Sequence, residues 1–156
     1  MELTAFEAAH APVVAGWAGS AEESRRWCSR DDVTPDVVAG WAAAPDVIAY
    51  VAVEHGEPVA YGELWVDDDE AEVELARLIV APAQRGRGFG RDLVTRLTAA
   101  GLAYHPAVFM RVHPDNVPAL RCYAGAGFVP VPAEQAAQWN EGQPVAYVWL
   151  SHPGGA

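Results

Sequence analysis

The chain has 156 residues, 51% of them hydrophobic, and a formal net charge of −11. That length suits one domain, residues 1–156, with a single two-layer core, and the hydrophobic share excludes a disordered chain. The acidic balance excludes a nucleic-acid partner, which wants a basic face, and no apolar run reaches the ~18–20 residues of a membrane span.

Residues 2–6 read as a first strand. Glu7 to Trp17 has helical spacing, and Pro12 opens a helix within it. Ser20-Ala21-Glu22-Glu23 is a capping box, so a short helix is expected through Arg25, Arg26 and Trp27. Thr34-Pro35 caps another over Asp36 to Ala44. Val47 to Glu54, Pro58 to Val66 and Ala71 to Val80 read as three strands of an antiparallel meander, with turns at His55-Gly56-Glu57 and Asp67-Asp68-Asp69. A helix follows from Phe89 to about Ala103, with Leu93, Val94, Leu97 and Leu102 on its apolar face. Val108 to Val112 is a strand, Asn116 caps a helix ending near Gly125, and Phe128 to Val131 pairs with Pro144 to Leu150 as a closing hairpin. The residues joining that hairpin, rich in Gln and Ala, read as a long connection.

Arg85-Gly86-Arg87-Gly88-Phe89-Gly90 lies between the apolar run Leu78-Ile79-Val80 and the helix that starts at Phe89. A strand, a glycine-rich turn and a helix N-terminus together offer free backbone N–H groups to an anion, with arginines close by. A dinucleotide site requires G-x-G-x-x-G and an acid about 20 residues on. Here the glycines run G-x-G-x-G, and the carboxylate after Asp92 is Asp115. An ATP-type loop needs a lysine, and this chain has none. Downstream stands a second pattern, Asn116-Val117-Pro118-Ala119-Leu120-Arg121-Cys122-Tyr123-Ala124-Gly125-Ala126-Gly127-Phe128.

In these two segments, in this order, the chain resembles the GNAT superfamily of N-acetyltransferases. The first fits the family's coenzyme A loop, R/Q-x-x-G-x-G/A, and the second its N-x-x-A-x-x-x-Y-x-x-x-G-F segment. The close likeness runs from about Glu72 to Phe128, and element order extends it loosely over most of the chain. It implies an α/β fold: a mixed, mostly antiparallel central sheet flanked by helices, with two splayed parallel strands holding the coenzyme.

The resemblance implies acetyl-CoA as acyl donor and no metal. Backbone at Leu78, Ile79 and Val80 would hold the pantetheine arm, and Arg85, Gly86, Arg87, Gly88, Phe89, Gly90 and Arg91 the pyrophosphate. Asn116 either touches the arm or only caps its helix. An alkylammonium has a pKa of about 10 and must lose a proton before it attacks a thioester. Glu72 and Glu74 alternate onto one strand face, read as that of Leu78 and Val80. Glu74 falls where histone-acetylating members carry their base; members acting on protein N-termini carry it on the later strand, where this chain has Arg111. Glu74 is taken as the base, against a plain pairing with an arginine, and Tyr123 as the general acid, against a core tyrosine. Trp27, on the helices that wall the acceptor pocket in this family, and Glu72 are taken as substrate-binding.

Residues 1–70 carry 15 acids and 3 arginines, whereas residues 71–131 carry 4 acids and 7 arginines. The positive segment suits a ligand with several phosphates, and the acidic remainder favours a cationic acceptor, although it also reads as a solvated surface. The expected partner is a small-molecule or peptide amine, with no nucleic acid and no membrane; monomer and homodimer stay open. Cys28 and Cys122 have neither metal nor disulfide spacing, and Met1–Thr4 opens no basic, apolar leader, so a cytoplasmic location is expected. A coenzyme-binding sensor without turnover and a transferase for a longer acyl chain are the alternatives.

Overall fold

Among residues 1–155, which the computed structural model describes, seven strands pair into one sheet: β1 (Glu2–Ala5), β2 (Val47–Glu54), β3 (Glu57–Asp67), β4 (Glu72–Val80), β5 (Ala107–Val112), β6 (Val129–Pro130) and β7 (Val148–Ser151). Their order is β1-β2-β3-β4-β5-β7-β6, and every neighbouring pair is antiparallel except β4 and β5. Six α-helices accompany it: α1 (Ala11–Ala15), α2 (Ala21–Cys28), α3 (Pro35–Ala42), α4 (Phe89–Leu102), α5 (Val117–Gly125) and α6 (Ala133–Trp139). Among the described residues no helix is long and apolar enough to cross a membrane.

Local chemistry accounts for most of these elements. Ser20 Oγ accepts from the Glu23 N–H at the start of α2, and Thr34 Oγ1 from the Val37 N–H at the start of α3. The Glu23 carboxylate reaches past its own cap to the Gly19 N–H, 2.9 Å away. His55 and Gly56, at φ 51° and 81°, make the tight turn from β2 to β3, a backbone twist that suits a two-residue hairpin.

Apolar residues alternate along β2 to β4 and fill both faces of the sheet. One face packs Leu64, Val73 and Leu75 under Leu93, Val94 and Leu97 of α4. The other packs Val51, Tyr61 and Ile79 against Val14 of α1 and Val38 of α3. At Gly62 a Cβ would stand 2.6 Å from Leu97 Cδ1, so α4 sits on β3 as closely as it does because that side chain is missing.

The meander contains a break that the alternation does not announce. Glu63 pairs with Ala76, but Tyr61 pairs with Ile79, so Arg77 and Leu78 together stand opposite Gly62. This bulge puts Arg77 at φ 51° and reverses the faces of every later residue in β4. Leu78 and Val80 therefore join Val73 and Leu75 on the α4 face, and the expected sharing of a face by Glu74, Leu78 and Val80 is corrected. Arg77 then projects to the opposite face. Its guanidinium lies over the rings of Trp41 (4.2 Å) and Trp65 (4.9 Å) and donates to Glu63, 3.0 Å away. Glu63 is fully buried and also accepts from Tyr61 Oη (2.6 Å) and Trp65 Nε1 (2.8 Å).

The closing strands pair antiparallel as expected, Val129 with Ser151 and Pro130 with Leu150, but their connection is corrected. β7 enters between β5 and the two-residue edge strand β6, and the supposed connection contains α6. Residues 133–138 are Ala, Glu and Gln only, all good helix formers, and they follow Pro132.

Removal of the Arg77 charge leaves Glu63 buried and unpaired. Arg77→Met is expected to lower unfolding free energy by about 3 kcal/mol, read as a lower midpoint in urea.

Candidate active site

The segment after β4 turns through a 3-10 turn at Pro82–Gln84 and enters α4 at Gly88, its N-cap. Gly86 and Gly88 have φ of 78° and 84°, a left-handed backbone that glycine adopts without strain, and a Cβ on either would meet no atom within 4 Å. These glycines hold the loop's backbone open to solvent. Gly90 differs: a Cβ there would lie 3.3 Å from Cys122 Sγ and 3.6 Å from Val80 Cγ2, so its absence brings α4 against α5 and β4. The N–H groups of Phe89, Gly90 and Arg91 open a helix of 14 residues and precede its first internal bond, from Asp92 N–H to Gly88. Arg85 is held by the Val80 carbonyl and by Glu23 of α2.

β4 and β5 pair only over Glu72–Ala107, Val73–Val108 and Glu74–Phe109, and from there they part. Beyond Leu75 the backbone of β4 has no strand on that side, the arrangement that an extended ligand arm completes. A cavity of about 510 Å³ runs from the loop into this gap. Leu78, Ile79, Val80, Arg85, Gly86, Gly88, Phe89, Gly90, Arg91 and Asn116 all line it. Arg87 does not; it donates to Gln84 and lies over the Phe89 ring. Unbonded helix amides, three arginines (Arg26, Arg85 and Arg91) and an open strand edge in one trough fit a phosphate-bearing, extended molecule such as a coenzyme A thioester.

A second cavity, about 220 Å³, adjoins the first where the strands part. Arg26, Trp27, Leu78, Asn116 and Tyr123 line both. Burial raises the Tyr123 phenol above its ordinary pKa, and neighbouring Cys122 adds to this, so the hydroxyl keeps its proton. Asn116 caps α5, its side-chain oxygen accepting from the Ala119 N–H at 3.3 Å, which leaves the two N–H donors of its amide for other partners. Trp27 donates from Nε1 to the Arg77 carbonyl (2.8 Å) and so fastens α2 to the bulge.

Glu74 lines the smaller cavity, buried, with both oxygens engaged by Arg111: Nε to Oε2 and Nη2 to Oε1, each at 2.8 Å. Burial alone would depress the Arg111 pKa, but the hydrogen bond and charge of Glu74 more than offset it and raise the pKa. Arg111 also lies 4.7 Å from the Trp149 ring centre and donates to Gln143. Glu72, two residues earlier, lies where β4 and β5 are still paired and lines neither cavity. Burial first, then Asp67, Glu70 and Glu74, raise its pKa.

Several lining residues carry no local motif. Arg111 is the one charged residue of β5, Ala-Val-Phe-Met-Arg-Val, and that isolation was its available signal. Tyr147 closes the far wall, its hydroxyl 2.6 Å from Ser29 Oγ at the end of α2. Asn140 holds this wall together: its side-chain oxygen accepts from the Tyr147 N–H (3.0 Å) and Trp149 Nε1 (2.9 Å), and its amide donates to the Tyr147 carbonyl (3.0 Å). Asn140→Ala is expected to cost about 2 kcal/mol and to speed hydrogen exchange across residues 141–148 well beyond that of the sheet.

The model of the acetyltransferase (GNAT) family matches residues 14–128. Aminoglycoside N(6')-acetyltransferase type 1 of Klebsiella pneumoniae is 28% identical over 131 residues, 74% of this chain; the chain spans only 62% of that relative's length. Among solved structures, AAC(6')-Ib in complex with paromomycin and acetyl-CoA superposes with a TM-score of 0.71 at 20% identity, covering 96% of this chain and 91% of the other. Spermidine N-acetyltransferase from Vibrio cholerae, in complex with CoA and spermine, gives 0.71 at 19% identity over 84% and 82%. At such identities these likenesses speak for the fold: a mixed, mostly antiparallel sheet with one parallel pair, flanked by helices. With the family model matched from residue 14 to residue 128, the chain belongs to the acetyltransferase (GNAT) family.

Proposed function

We propose that the chain is an N-acetyltransferase that moves an acetyl group from acetyl-CoA to a primary amine of a small molecule or peptide. The observation that carries this reading is the continuity of the two cavities through the gap between β4 and β5, from the glycine loop at one end to Glu74 and Tyr123 at the other. Acetyl-CoA, when bound, supplies an acetyl thioester whose C–S bond breaks as the amine nitrogen forms the new C–N bond.

This chain's residues serve the two proton transfers that the reaction needs. Glu74 takes the proton that the amine loses, through water. Arg111 fixes the carboxylate's direction and competes for its oxygens, so only the lone pairs outside the bidentate contact remain for that proton. Tyr123, kept protonated by burial, gives its proton to the departing sulfur. A backbone N–H near Leu78, beside the bulge, stabilises charge gathering on the carbonyl oxygen. Gly86, Gly88 and the first amides of α4 hold the pyrophosphate, and Arg85 and Arg91 add charge there.

The names of two of these similar proteins, an aminoglycoside and a spermidine acetyltransferase, point to amines with several positive charges, and the acids of residues 1–70 would draw such molecules to the surface. Trp27 borders the amine as part of the cavity wall.

The test is release of free thiol from acetyl-CoA across a panel of amines. Tyr123→Phe is expected to lower kcat about 10²-fold while calorimetry shows acetyl-CoA affinity within about twofold. Equal turnover would make Tyr123 a packing residue. Gly88→Val is expected to weaken acetyl-CoA binding at least tenfold, and its left-handed backbone adds about 1–2 kcal/mol of destabilisation, read in a thermal melt. Unchanged affinity in a folded Gly88→Val would overturn the loop assignment.

A further inference from the structure

The smaller cavity contradicts the simplest view of what an acidic protein with polyamine-acetylating relatives should accept. A polycation needs unpaired carboxylates within reach, and among the residues lining this cavity the only acid is Glu74, both of whose oxygens are held by Arg111. In the larger cavity the only lining acid is Glu23, which is paired with Arg85. The arginines that line the smaller cavity are Arg26, Arg77 and Arg111. Arg77 is committed to Glu63 between two indole rings, and Arg111 to Glu74. Of these three Arg26 is held least: among the described residues its one carboxylate contact is to Glu22, one helical turn back, at 3.5 Å on an exposed surface. It stands at the junction of the two cavities, on the same helix as Trp27. A guanidinium with a weak partner, in a pocket whose carboxylates are already satisfied, is a fork for an anionic group on the acceptor.

We infer that the acceptor is an amine of amino-acid size carrying a carboxylate, which Arg26 binds while Trp27, Trp65 and Tyr147 enclose its apolar part. This rests on the transferase reading above and names the substrate class of that same site. The volume of about 220 Å³ suits such a molecule. The acceptor is a zwitterion, so the protein's net charge of −11 does not repel it as it would a simple anion.

Matched pairs test the inference. L-phenylalanine and L-leucine are compared with their amides, and with spermidine and kanamycin, in thiol release at saturating acetyl-CoA. The acids and amides are also titrated by calorimetry into CoA-saturated protein. The amide's amine is the less basic, so it gains no disadvantage from protonation, and any preference for the acid reports the carboxylate. Each acid is expected to exceed its amide about tenfold in kcat/KM and in affinity. Arg26→Gln should bring acid and amide to near parity, and Arg26→Lys should retain part of the preference. Parity in the unaltered protein, faster turnover of spermidine or kanamycin than of either acid, no turnover or binding of either acid, or a preference that survives Arg26→Gln in a folded variant would each overturn the inference. Calorimetry of acetyl-CoA alone separates the two levels. Failure to bind it would take down the transferase reading, whereas binding without carboxylate preference takes down only this inference.

Discussion

The pairing of Arg77 with the buried carboxylate of Glu63 is the contact on which the site's geometry depends. It holds a non-glycine residue in left-handed backbone, and that residue makes the bulge. The bulge re-aims the end of β4, and past Glu74 β4 and β5 no longer pair. The lost hydrogen bonds along β4 become the open edge of the larger cavity. Trp41 and Trp65 hold the guanidinium in place, and Trp27 reads the bulge directly through the Arg77 carbonyl. One ion pair thus sets the strand gap and orients α2, which walls both cavities.

Charge inside the site is arranged as closed pairs. Glu63 with Arg77 and Glu74 with Arg111 each neutralise a carboxylate that would be costly to bury alone, and the partly exposed Glu23 is paired with Arg85. An acidic chain therefore has a site without free negative charge among its lining residues, and the uneven charge of the sequence describes its surface, not its chemistry. Arg111 is enclosed by Trp149, Tyr147 and Trp65, so aromatic residues of two strands, β3 and β7 with its flank, serve one cation.

What was legible in the sequence was local. The glycine loop, the Asn116 cap and the helix leading to Tyr123 are specified by residues within one turn of each other, and each lies where its spacing put it. Trp27 also reached the site, because a capping box fixes α2 and with it the indole's direction. The bulge was not legible. No glycine marks Arg77, and the residues that hold it there are Glu63, Trp41 and Trp65, distant in sequence from it. Strict alternation across that point gave Glu74 the wrong companions. The Glu74–Arg111 contact was hidden for the same reason, since it exists only once β4 and β5 lie parallel. α6 is a different case: Pro132 followed by Ala, Glu and Gln carries a local helix signal, and α6 lies within the connection between two strands that do pair.

The bond between Ser29 and Tyr147 spans 118 positions of sequence. Loop closure on that scale comes late, after the hairpins of β2 to β4 and the packing of α4 have formed from nearer contacts. On a ribosome the order is stricter. The larger cavity is built from residues up to Tyr123, whereas the far wall of the smaller one waits for Asn140 and Tyr147 to emerge. In chain order the lining of the larger cavity is complete at Tyr123, whereas the smaller one gains its far wall only from residues that follow, among them the last strand's neighbour Tyr147.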